Sequence, residues 1–492
     1  MDTDKKRGFL CVIGGTIMHL YLGCFYLWGN IQVYITSYLH KHDPSITLGD
    51  TSIVFPIQTI TQSLCMPIGP LMMEYLPPWC ACFIGGVIGI GGVFLSSYVT
   101  NLYAFIFLYP VLFGIAIGFS YMVPVVCGWE YFPQWKGAVS GVIVAGFGFG
   151  SFIFGFVSIA IANPDGEQAD LKVEGGNIFS PESPVSSNAP RMLRINCIIW
   201  SLLLLTSLFM IKKNKKGNFS TQTPNLNNNK SISNQNAVTA PPISLKSPKS
   251  PSKQPLSTPS AYISKPSPSL TSDLKEPTLV EAFKDYRAYY IWLIILLSSS
   301  YPYFIASNFK TYEQVDIHDD RFITLVGALG AVVNGLSRGF WATLQDFFGF
   351  KRVFTCLLVL EITIAFTFVA VHKVKFLYLI WVLISFSTLG GHFSMIPTLC
   401  AKIFGPNTGG KIFGFIFTGF GSATLIGWFL TKAVSHDKIS YDSLFYILGF
   451  MAGIALVMVF FLKDNTIVQK ISSNSRLSHE KEGIELTQRL LS

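Results

Sequence analysis

Arg338 stands in LVGALGAVVNGLSRGFWATLQDFFGFKRV, residues 325–353, whose first two thirds are apolar or small. An arginine near the centre of a bilayer costs at least ~2.5–3.5 kcal/mol, so one kept there has chemistry to do. A planar guanidinium of fixed charge suits a carboxylate, which it can grip through two parallel N–H bonds. Eight residues separate Arg338 from Asp346, about 12 Å of helix, which places the arginine too deep to snorkel fully to the rim. Asn334, four residues before it, can hydrogen-bond the guanidinium but cannot neutralise it. The alternative is an arginine satisfied by backbone carbonyls, Asn334 and water, holding helices together.

Other polar or aromatic residues in apolar surroundings could wall the same site. They are His19, Tyr26 and Trp28, then Gln58 and Gln62, then Tyr121, with Tyr301, Tyr303 and His392 further along. Aromatic walls with a few polar groups suit a small organic anion, and packing is the competing use of each. His19 and His392 are candidate proton carriers, a neutral hydrogen-bonded histidine being the alternative. Glu361 sits midway in another apolar block and reads as protonated or paired.

The elements that must position these residues follow from composition. Half of the 492 residues are hydrophobic, 13% are charged, and mean hydropathy is +0.46. A helix needs about 20 apolar residues to cross the hydrocarbon, and its backbone satisfies itself. Twelve such blocks can be drawn, near 8–29, 49–70, 79–98, 102–126, 137–162, 192–211, 288–308, 322–344, 353–371, 377–400, 410–431 and 442–462. The nine cysteines fall in or beside these blocks and read as small apolar residues; Cys80-x-Cys82 has neither metal nor redox spacing. No P-loop or catalytic constellation stands out, so neither an enzyme nor a cofactor is expected.

Lys5, Lys6 and Arg7 before the first block, and Lys212, Lys213, Lys215 and Lys216 after the sixth, favour both chain ends on the cytoplasmic side. The short loops alone do not decide the orientation. The net charge of +9 then belongs to the membrane surface, and no nucleic-acid partner is expected. No cleavable signal peptide is evident. The plasma membrane and organelle membranes are both open.

Residues 213–285 interrupt the apolar pattern with Asn, Ser, Pro and Lys. Such a segment buries too little surface to fold, so a disordered cytoplasmic linker is expected there. Ser247, Ser250 and Thr258 precede proline, which makes kinases candidate partners; an unregulated tether is the alternative. The expected division is residues 1–212 as one six-helix half, 286–465 as the other, and 466–492 as a cytoplasmic tail.

The halves repeat. Shifted by 273 residues, 118–148 lies over 391–421 with 11 identical pairs in 31, Gly137/Gly410, Gly141/Gly414, Phe147/Phe420 and Gly148/Gly421 among them. A parallel six-plus-six repeat is the logic of transporters that rock two halves about a midplane site. Gly137, Gly141, Gly146, Gly148 and Gly150 are expected to thin the fifth helix on one side for close packing.

Twelve spans, this repeat and the long central loop resemble the major facilitator superfamily. Its signature G-x-x-x-D-x-x-G-x-K/R recurs after the eighth span, with Ala342 for the first glycine, then Asp346, Gly349, Lys351 and Arg352 as gating residues. The copy after the second span is degraded: Gly69 remains, Met73 replaces the aspartate and Glu74 neighbours it. Four stretches, LGCFYLWG, GWEYFPQWKGAVSGVIVAGFGFG, NGLSRGFW and FGPNTGGKIFGFIFTGFGSA, resemble the oxalate/formate antiporter and monocarboxylate porter group.

That resemblance implies that Arg338 pairs with the substrate carboxylate. It also implies a lysine in the eleventh span, where this sequence has Phe420, and an aspartate four residues before the arginine, where it has Asn334. One expected cation is missing, which favours a monoanion such as formate, lactate or pyruvate over oxalate. In the resembled fold, spans 1, 2, 4, 5, 7, 8, 10 and 11 line the cavity, and none places Asp or Glu at midplane depth. The expectation is a monomeric, all-α membrane carrier of small organic anions in the lipid bilayer. Two alternatives stay open: a carrier of a neutral or amphipathic solute, such as an amino acid or drug, and a non-transporting sensor or scaffold.

Overall fold

The computed structural model describes residues 3–174, 176–214, 276–313, 320–371, 373–435 and 440–465. Most of the expected linker, with Ser247, Ser250 and Thr258, and all of the expected tail lie outside the described residues. Among the described residues twelve helical passages succeed one another. The first is Thr3–Leu22, a 3-10 stretch Gly23–Leu27, and Trp28–His42; the second is Leu48–Thr51, Val54–Cys65 and Ile68–Met72. The third is Pro78–Ser96. The fourth runs from Leu102 to Tyr131 through a π stretch Phe107–Val111. The fifth is Lys136–Ala162 and the sixth Pro184–Met210. The second half holds Tyr286–Glu313, Asp320–Phe348, Phe350–Val371, Lys375–Phe404, Pro406–Ser435 and Tyr441–Phe461. Ten of the helical segments are long and apolar enough to cross a membrane.

Departures from the expected blocks have local causes. The first passage continues past residue 29 to His42, because Gln32 and Thr36 find partners in the next loop: Gln32 Nε2 donates to Leu48 O, and the Thr36 and Thr51 hydroxyls lie 2.8 Å apart. The fourth passage widens into a π turn at Pro110, which has no N–H to give. Between the fifth and sixth passages a two-stranded antiparallel hairpin, Leu171–Val173 with Gly176–Ile178, was not foreseen. The linker expected over residues 213–285 does not extend to 285. Residues 276–285 fold onto the bundle, where Thr278 opens the short helix Leu279–Lys284 with a capping box.

The fifth passage is thin on two sides rather than on one. A Cβ at Gly146 or Gly150 would strike the backbone carbonyls of Thr16 or Leu20 in the first passage. At Gly137, Gly141 and Gly148 it would strike Ala342, Arg338 and Gly335 of the eighth. The repeat supplies the mirror contact, in which Gly410, Gly414 and Gly421 of the eleventh passage meet Val126, Pro67 and Ser63. The seam between the halves is therefore lined with glycine, set against backbone at Ala342, Arg338, Gly335 and Pro67 and against side chains at Val126 and Ser63.

That seam gives a first prediction. Gly148→Val forces side-chain atoms onto Gly335, an overpacking worth about 1–3 kcal/mol against the closed seam, or roughly 5- to 150-fold in a two-state equilibrium. Transport in proteoliposomes should fall by at least ~5-fold with the amount of folded protein preserved. Unchanged transport would show that this contact is not remade during the cycle.

Candidate functional site

Arg338 is fully buried at this seam. Its Nε and Nη2 donate to Asn334 Oδ1 at 3.2 and 2.9 Å, and Nη1 donates to Val144 O of the fifth passage at 3.3 Å. Asn334 is aimed by its own Nδ2, which donates to Phe386 O at 3.0 Å. Two rings sandwich the cation: Phe393 lies 4.7 Å and Phe147 5.3 Å from the guanidinium carbon. Among the described residues no carboxylate comes within ion-pair distance of it. A guanidinium has five N–H donors, and three bonds are made, so two remain to spend.

The surroundings are short of partners in the same way. The Tyr26 and Tyr121 hydroxyls are buried without a hydrogen-bond partner, yet close enough to feel the Arg338 charge. Tyr303 feels that charge too and packs 5.9 Å from Phe393. Phe420 stacks on Phe393 with centroids 5.0 Å apart, extending the aromatic floor. His19 leans edge-on against Tyr121. Its Nδ1 lies 2.9 Å from Gly15 O; a carbonyl only accepts, so Nδ1 carries the hydrogen and the unpartnered Nε2 presents a lone pair.

Of the residues expected at the site, Arg338, Asn334, Tyr26, Tyr121, His19 and Phe420 gather in one place, with Tyr303. Three are placed elsewhere. Trp28 packs on Phe105 and Tyr109 of the fourth passage. The Tyr301 hydroxyl is 3.2 Å from Ser385 Oγ, within the second half. His392 points away from Arg338 although its neighbour Phe393 lies over it, because adjacent helical residues diverge by about 100°. Phe147 and Phe393 were missed. The repeat carried a signal for Phe147, since it is the exact partner of Phe420 across the 273-residue shift.

The expected gating residues lie on the face where the described chain ends meet. Asp346 crosses to the other half and caps the fifth passage, its oxygens accepting from Gly137 N at 3.0 Å and Ala138 N at 2.7 Å. Gly349 has φ +83°, a left-handed turn that favours glycine. Lys351 Nζ donates to Phe460 O, and Arg352 is exposed. In the degraded copy Met73 is buried, and Glu74 pairs with Lys411 of the other half. The missing carboxylate is supplied from an unforeseen place. Glu276, at the end of the linker, accepts from Asn407 N and Thr408 N at 3.2 and 3.4 Å. Those are the second and third residues of the eleventh passage, as Gly137 and Ala138 are of the fifth. Burial pushes the Glu276 carboxyl above its ordinary range, opposed by these N–H groups and by the charges of Lys136 and Lys411.

Two repeated six-helix halves with a buried cation at their seam make up the architecture of the major facilitator fold. Residues 286–486 match the Major Facilitator Superfamily. The whole fold aligns with the proton:xylose symporter XylE bound to 6-bromo-6-deoxy-D-glucose, at a TM-score of 0.62 and 12% identity over 94% of this chain and 98% of that one. The chain has the major facilitator fold. In sequence it is similar to Apicoplast pyruvate carrier 1 of Toxoplasma gondii, 26% identical over 94% of this chain and 90% of that protein. Monocarboxylate transporter 12 of Homo sapiens is 25% identical over 26% of this chain and 25% of its own length.

Proposed function

We propose that this chain carries small monocarboxylate anions across a membrane by alternating access, with Arg338 as the partner of the carboxylate. One observation carries the reading: a fully buried guanidinium with two unspent N–H groups and no acidic partner among the described residues. A carboxylate supplies the missing charge and accepts those N–H groups, while the Tyr26 and Tyr121 hydroxyls stand ready to donate to it. The aromatic floor of Phe393, Phe147 and Phe420 holds the short apolar remainder. A second anionic group would meet Phe420 in place of a cation, so a dianion such as oxalate is disfavoured. The names of the relatives, one a pyruvate carrier, agree with this chemistry.

In the cycle, the anion neutralises Arg338 and the glycine-lined seam lets the loaded halves rock. An empty carrier keeps its bare charge and crosses slowly, which favours exchange. The lysines at the start of the first passage and after the sixth support a cytoplasmic side for the face they share. The test is uptake of labelled pyruvate, lactate, formate and oxalate by purified protein in liposomes. The monoanions should enter at least ~10-fold faster than oxalate, in line with the cost of desolvating an unpaired charge. Uptake confined to neutral amino acids or amphipathic drugs would overturn the reading.

A further inference from the structure

Behind Phe393 lies a second polar cluster, which anion binding does not use. Glu361 of the ninth passage is fully buried, and neither carboxyl oxygen has a hydrogen-bond partner. His392 of the tenth passage brings Nε2 to 3.9 Å from Glu361 Oε2, too far for a hydrogen bond and near enough for an ion pair. The same Nε2 is 2.9 Å from Ser298 Oγ of the seventh passage. His392 Nδ1 lies 2.8 Å from Thr388 O, so Nδ1 carries a hydrogen, and Nε2 is the nitrogen at which a proton comes and goes.

The other neighbours leave the pair to itself. From the seventh passage Tyr301 faces it, with its hydroxyl engaged by Ser385. Phe354 packs edge-on against the imidazole at 5.2 Å. The charged residue of the twelfth passage, Asp442, is exposed at its start, and Arg338 and Asp346 of the eighth are turned to the opposite half. A bare carboxylate in such a place costs several kcal/mol. At least one proton therefore resides on the pair, either on Glu361 or on His392.

We propose that Glu361 and His392 form a proton-binding site that couples carboxylate transport to a proton gradient; this rests on the anion reading above. Protonation at Nε2 replaces the bond accepted from the Ser298 hydroxyl with an N–H directed to Glu361. Release waits until the rocking halves expose the pair to water: the Nε2–H bond then breaks, the proton goes to water, the Ser298 hydroxyl again donates to Nε2, and water solvates the Glu361 carboxylate left behind. The signal has a short path to the anion. His392 adjoins Phe393, the platform under Arg338, and Gly390 lets this helix press against Asn334 O and Ser337 Oγ. Pro302 in the seventh passage and Pro397 in the tenth each remove a helical hydrogen bond, leaving the helices on both sides of the pair able to bend there.

The experiment uses the full chain in liposomes and two readouts. Pyruvate-for-pyruvate exchange at equal pH needs no net proton movement; accumulation against an inward proton gradient does. Glu361→Gln and His392→Gln should keep exchange within about 3-fold of the parent and lose accumulation by at least ~10-fold, with a flattened pH profile. Ser298→Ala, which leaves both titrating groups in place, should shift that profile without abolishing accumulation. Accumulation with an unchanged pH profile in Glu361→Gln overturns the proposal. So does joint loss of exchange and accumulation in all three variants, which would make the cluster structural. Failure of the parent protein to exchange any carboxylate is a separate result and strikes the anion reading instead.

Discussion

Arg338→Ala should reduce monocarboxylate transport by at least ~30-fold, the smaller end of the 2–5 kcal/mol lost when one partner of a buried charge pair is removed. The folded protein should survive the change, since the guanidinium holds only three hydrogen bonds, all to neutral acceptors, and two ring contacts. Arg338→Lys keeps the charge and loses the planar fork that lies between Phe147 and Phe393, so it should recover only part of the rate. Asn334→Asp is the sharper variant. Its carboxylate would stand where Asn334 Oδ1 now accepts from Nε and Nη2, giving the arginine a permanent counter-ion. Anion affinity should fall, because the substrate carboxylate would then compete with that counter-ion for the same guanidinium. Uptake and competition assays on the three variants check this. An alanine variant with full transport would leave the arginine as a helix tie and remove the basis for an anionic cargo.

The second large effect concerns the gate. Asp346→Ala removes two charge-assisted hydrogen bonds and a favourable charge at a helix N-terminus, and both bonds cross between the halves. At about 1.5–3 kcal/mol for one such bond, even a single net loss shifts the balance of conformations by roughly 10- to 150-fold toward opening at this face. Thr398 and Ser140, whose hydroxyls touch across the seam at 3.3 Å, report on it. In a background without native cysteines, a cysteine at position 398 should react with an impermeant maleimide in Asp346→Ala and stay protected with Asp346 intact. Equal protection in both would make Asp346 a helix cap without a gating role. Glu276→Gln should act in the same direction and more weakly, because one carboxylate oxygen carries both of its bonds across longer distances.

What the sequence alone determined was set by long repeated signals. Twelve apolar blocks fix the number of helices, because each must satisfy its backbone internally in lipid. The 273-residue repeat fixes their arrangement as two equivalent halves, and glycines at matched positions mark the seam. Arg338 could be singled out because a charge among apolar residues is rare, and Asp346 because it falls in a short signature. The aromatic sandwich around Arg338 was not readable in the same way. Phenylalanine is abundant along this chain, with 42 copies, and only contact across the seam separates Phe147 and Phe393 from the rest. Tertiary structure also decided which of two neighbouring residues faces the site, turning Tyr303 and Phe393 inward and leaving Tyr301 and His392 to the second half. It brought Glu276, near the end of a polar linker, to a helix end that the sequence signature assigns to position 73. A carboxylate can cap a helix from any strand of chain that reaches it, and that reach is a property of the folded molecule, invisible in residue spacing.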